Sequence, residues 1–391
     1  MRVLAACSLG GAGHLRPLLP LLDAAVRQGH DVLVVAPPAM AAMVEATGHV
    51  FRAGGEPAEA EIAPLRERLP RLPPAEAAAV GDGELFGRLA TQAMLPAMTD
   101  AVAAWRPDLV LREPCEHAST LAATRAGVPL AQVAISPADV EWGAIGTAAA
   151  ALARLGADVE DEMRAMPYLT RFPAALDPSP FPGTVRFHAP RPPADPLPDW
   201  WGGSTAPLVY LTFGTVLGFM SIAAEVYRAA VEALADLDAR VLLTVGRRFD
   251  AAALGPAPAH VRVEPWVGQD RVLAVAALVV CHGGSGTVYG ALAAGVPVVT
   301  VPVFADQFEN GRRVAAAGAG LTVDAERGSG VDVPRLAAAV EQALADPALA
   351  RRAREIAADI AATPPADAVV AELLGAARPP WGPSPRGATG A

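Results

Sequence analysis

Two textures alternate along the chain: short unbroken apolar runs, and longer stretches in which apolar residues recur at helical spacing. "RVLAAC" (residues 2–7) reads as a buried strand and "SLGGAGH" as a loop. A helix follows from about Pro17 to Arg27, closed by Gly29, and then the strand "DVLVVA". Pro17 and Pro20 fall in the first turn of that helix, where backbone amides lack intrahelical acceptors anyway, so neither breaks it. "DLVLR" (108–112) and "PLAQVAI" (129–135) are further strands, with a helical pattern between them. From Pro178 to Pro207 the composition shifts to Pro, Gly and Asp and predicts a linker. Strand-like runs then return in "PLVYLTFGT", "ARVLLTVG", "HVRVEPW", "ALVVCH" and "PVVTVP", each followed by a helical or loop segment. This pattern predicts an α/β fold of two doubly wound domains. Their ligand is expected at the strand carboxyl ends, in a cleft that the two domains face.

Length supports the division, since 391 residues exceed what one hydrophobic core ordinarily organises. A net charge of -10 would repel nucleic acid and anionic membrane surfaces, so neither is an expected partner. All 31 basic residues are Arg, which excludes an amine nucleophile, a Schiff base and a Walker lysine. Cys7, Cys115 and Cys281 lie far apart with no CxxC pair, which argues against a disulfide scaffold or a thiolate zinc site and suits a reducing cytoplasm. "LAAC" resembles a lipoprotein box, but only six residues precede Cys7, so it is read as the first strand. The longest apolar run, Val272 to Cys281, is half of what a membrane span needs, and a soluble protein is expected.

The densest chemistry lies in "LVVCHGGSGTVYGALAAGVP", Leu278 to Pro297. Gly283 and Gly284 allow a tight turn and close approach to a ligand, and Ser285 and Thr287 stand where the next helix begins. A helix N-terminus with free amides, flanked by hydroxyls and by His282, suits a diphosphate. A nucleophile elbow would need Gly where Thr287 stands. A dinucleotide loop fails at "GAGHLR", which has Arg16 for its third Gly, and "DVLVVAPP" ends without an acid for a ribose. The simplest alternative is a helix cap with no ligand.

These residues carry a resemblance. "WVGQDRVLAVAALVVCHGGSGTVYGALAAGVPVVTVPVFADQFEN" resembles the nucleotide-sugar signature of family 1 glycosyltransferases, above all the bacterial branch that decorates antibiotics and polyketides. "GGAGHLRPLLPLLDAAVRQGHDV" and "RPDLVLREP" resemble the same family, and the likeness runs to about residue 375. It implies the GT-B fold of two Rossmann-like domains. By it, residues 1–190 form an acceptor-binding domain, 191–206 a linker, 207–363 a nucleotide-sugar donor domain, 364–377 a helix packing back on the first domain, and 378–391 a disordered tail. It also implies that His282, Gly284, Ser285, Gly286 and Thr287 hold the donor diphosphate with Thr215 closing on it. Asp306 and Gln307 would bind sugar hydroxyls, and Trp266, Val267 and Gln269 would border the base and ribose. The family usually has Pro where this chain has Gly268.

His14 is the implied general base, and its residue type and place agree: a loop at a strand's carboxyl end, with an unperturbed imidazole pKa of about 6.5. Glu113 of "PDLVLRE" matches the family's acidic partner, with Glu116 and Asp139 as competitors. The implied reaction is inverting, metal-independent transfer of a sugar, expected to be a deoxysugar, from a TDP- or UDP-sugar to a hydroxyl of an apolar small-molecule aglycone. The nucleoside diphosphate sugar is co-substrate and no other cofactor is needed; the protein is expected to be a monomer or homodimer. A nucleotide-sugar epimerase of the same fold and a non-catalytic sugar-nucleotide-binding helper are the alternatives.

The remaining residues have plainer readings. His30, His49, His117, His188 and His260 are assigned to surface or packing, "DLD" (236–238) to a turn, and Arg312 and Arg313 to a surface helix face. Trp200 and Trp201 anchor the linker on a domain, and segments Gly54 to Thr99 and Ser136 to Asp177 line the acceptor pocket.

Overall fold

The computed structural model describes residues 1–69, 72–190, 195–215, 217–220, 222–323 and 331–375. They form two compact units. Met1–Arg171, Pro178–Pro190 and the described residues from Thr363 on make the first; Phe172–Asp177 and the rest up to Ala362 make the second.

The first unit is built on seven parallel strands: β1 (Arg2–Ala6), β2 (Asp31–Ala36), β3 (Val50–Ala53), β4 (Leu109–Arg112), β5 (Leu130–Val133), β6 (Tyr168–Thr170) and β7 (Thr184–Arg186). Their order is β3-β2-β1-β4-β5-β6-β7. A parallel sheet has helices on both faces, so its strands are apolar on both sides. In β1, Val3 and Ala5 pack in one layer with Leu18, Leu22 and Leu111, while Leu4 and Ala6 pack in the other with Met98, Val102 and Val110. The helix Ala366–Gly375 adds Val369, Val370, Leu373 and Leu374 to the first layer, and its Asp367 accepts two hydrogen bonds from the Arg27 guanidinium.

The second unit has six parallel strands: β8 (Leu208–Thr212), β9 (Arg240–Thr244), β10 (Val261–Glu264), β11 (Leu278–Cys281), β12 (Val298–Thr300) and β13 (Gly320–Thr322), in the order β10-β9-β8-β11-β12-β13. In each sheet the winding reverses once, between β1 and β4 and between β8 and β11. At such a switch point the loops leaving the two neighbouring strands diverge and open a crevice beyond their carboxyl ends. Residues 7–14 thus meet 113–117, and residues 213–215 meet 282–287.

The fold departs from the sequence pattern in several places. The helix expected from about Pro17 runs from Leu19 to Arg27, and a separate short helix, Ala12–Leu15, precedes it, so His14 sits in a helical turn and not in a loop. The Pro-rich stretch from 178 is not all linker, because Thr184–Arg186 pairs with β6 at the sheet edge. β3, β6, β7 and β13 escape the pattern because each is short and, unlike β11 and β12, not embedded in a longer apolar run. Arg313 is not a surface residue like Arg312: it is nearly buried, paired with Asp177 and Glu309, and ties residues 172–177 to the second unit. Trp200 and Trp201 pack edge to face on the second unit's core, where the Trp201 indole donates to the His260 carbonyl. Residues 191–194 of the expected linker, 376–377 of the last helix and the tail 378–391 lie outside the described residues.

Candidate functional site

At the first switch point, β1 and β4 are in register with Ala6 opposite Arg112, which sets Glu113 beside the segment that leaves β1. The Glu113 carboxylate is fully buried. Its Oε1 accepts the Ser8 amide at 2.8 Å and its Oε2 the Cys115 amide at 2.6 Å. His14 Nδ1 lies 3.2 Å from Glu113 Oε1, and its ring keeps 16% exposure. Burial alone would raise the Glu113 pKa; the His14 charge and hydrogen bond, with the two amides, outweigh it and hold the carboxyl below its usual range. With Nδ1 turned to Glu113, the other nitrogen, Nε2, lies against Gly10, where a Cβ would stand 2.2 Å from it. Gly10, at φ 137°, therefore leaves the imidazole its room. The Phe86 ring centroid is 5.9 Å from that of His14.

The competing acids point elsewhere. Glu116 accepts the Ser119 amide at the start of the helix Ala118–Ala126, and Asp139 is exposed. Beside the His14–Glu113 pair, a cavity of about 70 Å³ is lined by Asp82, Phe86, Cys115, Ser136, Val140 and Glu141 among others. Both segments expected to line an acceptor pocket contribute to it. Burial pushes Asp82 up to about 6 and Glu141 up to about 8, against the hydrogen bonds that Glu141 accepts from Ile135 and Ser136.

At the second switch point β11 ends at Cys281, and Gly283 at φ 85° turns the chain into the helix Ser285–Ala293. The amides of Ser285 and Gly286 open this helix and have no helical carbonyl behind them. The His282 ring lies under Gly284, where a Cβ would stand 2.3 Å from its Nε2. Burial pushes this imidazole down to about 4, with a contact to the Thr212 backbone opposing, so it is neutral near pH 7. Thr287 is half-buried and Thr215 exposed, the latter after Gly214 at φ 73°. The Ser285 hydroxyl is already engaged: it donates to Asp306 Oδ2 at 2.7 Å and accepts from Asn310 Nδ2 at 2.9 Å. Ser285 thus presents its amide, not its hydroxyl, to a ligand. Gln307 Oε1 accepts the amides of Val303 and Phe304 and so holds its own loop, while the Asp306 carboxylate ties Ser285 to Asn310. Trp266, 45% exposed, carries the Arg247 guanidinium 4.7 Å from its ring centroid. Val267 packs against the core beside it, and the Gln269 carboxamide lies over Gly290.

Known proteins resemble this chain along most of its length. The chain matches the erythromycin biosynthesis protein CIII-like family, its N-terminal domain over residues 24–151 and its C-terminal domain over 228–375. It is 33% identical to the L-demethylnoviosyl transferase of Streptomyces niveus, across 96% of this chain and 98% of that one. This chain is a family 1 glycosyltransferase of the bacterial natural-product branch. Among solved structures, the glycosyltransferase SnogD from Streptomyces nogalater is 26% identical with a TM-score of 0.74, over 96% of this chain and 99% of that one. The glycosyltransferase SsfS6 of Streptomyces sp. SF2575, complexed with thymidine diphosphate, is 26% identical with a TM-score of 0.73, over 96% and 100%. The glycosyltransferase therefore has the GT-B fold. None of its described helices is long and apolar enough to cross a membrane.

Sequence reasoning missed several residues of this glycosyltransferase. Arg112 reads as the end of a strand, yet it is a fully buried guanidinium that donates to the carbonyls of Pro114 and Glu116 and to Gln132 Oε1, 2.6 to 2.7 Å away. It holds the loop that carries Glu113. Asn310 signals itself only by helical spacing from Asp306. Gly268 departs from the family's Pro, yet it adopts φ -57° and ψ 120°, values that proline also takes. A Cβ there meets only Arg271 and Trp266, at 3.5 to 3.9 Å. Gly268→Pro should therefore stabilise the protein by about 0.4–1 kcal/mol by restricting the unfolded chain. A thermal melt should show a rise of roughly 1–4 °C.

Proposed function

We propose that this glycosyltransferase moves a sugar, with inversion, from a thymidine diphosphate sugar to a hydroxyl of an apolar natural-product acceptor, with His14 as general base. One observation carries the reading: the His14 Nδ1–Glu113 Oε1 pair at 3.2 Å, which leaves Nε2 to take a proton. The acceptor hydroxyl gives its proton to Nε2 while its oxygen bonds to the anomeric carbon and the bond to the diphosphate oxygen breaks. Glu113 orients the ring and stabilises the imidazolium. Phe86 and Val140 give the small cavity beside this pair an apolar edge that an acceptor with little charge can meet.

The departing diphosphate gains charge, and the Ser285 and Gly286 amides with the Thr287 hydroxyl are set to receive it. The neutral His282 ring, packed under Gly284, backs the turn that leads to them. These donors supply the charge stabilisation, so the scheme needs no metal. Thymidine follows the nucleotide held by the similar SsfS6, and Trp266 with Val267 and Gln269 would border the base and ribose.

The test incubates the protein with a thymidine or uridine diphosphate sugar, with and without an apolar phenolic aglycone, following nucleotide release and acceptor mass. Release that depends on acceptor and yields its glycoside is expected. Donor isomerisation alone, or binding without turnover, would overturn the reading. Thr287→Ala removes a donor to a charged group, a loss of about 1.5–3 kcal/mol, and should raise the donor KM roughly tenfold to a hundredfold. Initial rates over a range of donor concentrations check this.

A further inference from the structure

One side chain at the first switch point has no part in the transfer scheme. The ligand atoms of His14, Glu113 and Cys115 all lie within 4.8 Å of one another. Cysteine spacing argues against a thiolate zinc site, but spacing tests only cysteines that are near in sequence. Here the fold assembles a mixed set, with His14 following β1 and the other two following β4.

We propose that His14, Glu113 and Cys115 form an inhibitory site for a zinc-class divalent cation, which takes the ring nitrogen, a carboxylate oxygen and the sulfur and so withholds the base. That the cation inhibits rests on the transferase reading; that it binds does not. Imidazole nitrogen, carboxylate oxygen and thiolate sulfur are each zinc donors, and bonds of 2.0–2.3 Å place tetrahedral ligands about 3.5 Å apart. The present spread closes with a shift of roughly 1 Å, which the half-buried His14 and Cys115 side chains can supply. The Ser8 and Cys115 amides hold the Glu113 carboxylate in place, and it keeps lone pairs beyond those hydrogen bonds. Asp82, ionised above about pH 6, favours a cation beside Cys115; burial of the thiol and the Arg112 charge oppose it. On binding, the S–H bond breaks, its electron pair becomes the sulfur–metal bond and the proton leaves to solvent, so no redox partner is needed. The sulfur disfavours magnesium and calcium, which prefer oxygen ligands.

The experiment uses the full chain, stripped with a chelator and then titrated with zinc, cobalt(II) or magnesium. Micromolar zinc should cut the transfer rate more than about tenfold and the chelator should restore it, with no effect of magnesium. Cobalt(II) should add a near-ultraviolet sulfur-to-metal absorption band at one equivalent. Cys115→Ala and Cys115→Ser, each compared with its own metal-free rate, should lose the band and need roughly a hundredfold more zinc. Equal zinc sensitivity in Cys115→Ala, or cobalt binding without the band, would overturn the proposal. A band without any transfer activity would sink the transferase reading and leave the metal site standing; transfer without a band would do the reverse.

Discussion

His14→Ala should lower kcat about a thousandfold, within the range that a positioned general base contributes, and leave the donor KM nearly unchanged. The split follows from placement: His14 belongs to the first unit, and the residues assigned to the diphosphate belong to the second. In the unaltered enzyme kcat should fall on the acid side as the imidazole takes a proton and can no longer accept one; in His14→Ala that acid limb should vanish. Glu113→Gln tests the partner. Its amide group would set an N–H donor against one of the backbone amides that Glu113 now satisfies, the Ser8 or the Cys115 amide, and would free the ring to adopt the wrong tautomer. A loss of at least about a hundredfold in kcat is expected, with the fold retained by circular dichroism. Full transfer by His14→Ala would reject the base.

Arg112→Met should cost about 3–5 kcal/mol of stability, the usual result of removing one member of a buried charged network. The guanidinium is buried among Glu113, Glu116 and Glu141, whose charges oppose the desolvation that lowers its pKa. Without it, two loop carbonyls and Gln132 lose their donor. The pH dependence has a definite sign. Burial raises the Glu116 pKa, with Ser119 and Arg112 partly offsetting this. A carboxyl whose pKa is raised on folding binds its proton more tightly in the native state, so stability falls as pH climbs above the unfolded carboxylate value. Removing Arg112 raises that pKa further, so the fall continues to higher pH and its total grows. The drop in melting temperature, roughly 10 °C near neutral pH, should therefore shrink toward pH 5 or so. A drop that is the same at every pH would show that the charge network is not its cause.

The two halves of the candidate site were not equally legible. The donor side could be read because its signal is local: an apolar run, a glycine turn, hydroxyls and a new helix within ten residues, from Leu278 to Thr287. Even there, that Ser285 turns its hydroxyl to Asp306 and Asn310 depends on the neighbouring helix Gln307–Ala316. On the other side, His14 was identified by its loop and its resemblance, but three acids competed to stand beside it. Register decided among them: β4 lies next to β1 with Arg112 opposite Ala6, so Glu113 faces the Ser8 amide, while Glu116 caps a helix. Cys115 joined the site the same way, through a pairing that no spacing along the chain displays.

Taken by itself, the amino-acid sequence determined the class of fold, the main strands, the glycine turn that precedes the helix Ser285–Ala293, and the absence of any lysine chemistry. Each of these rests on interactions between residues close along the chain, or on composition. Tertiary structure alone decided which acid meets His14, that Arg112 is a buried hub and Arg313 a nearly buried tie, and that a thiol stands beside that pair. These depend on strand order and on which charges lose their water together, and both are settled only when segments far apart in sequence pack side by side.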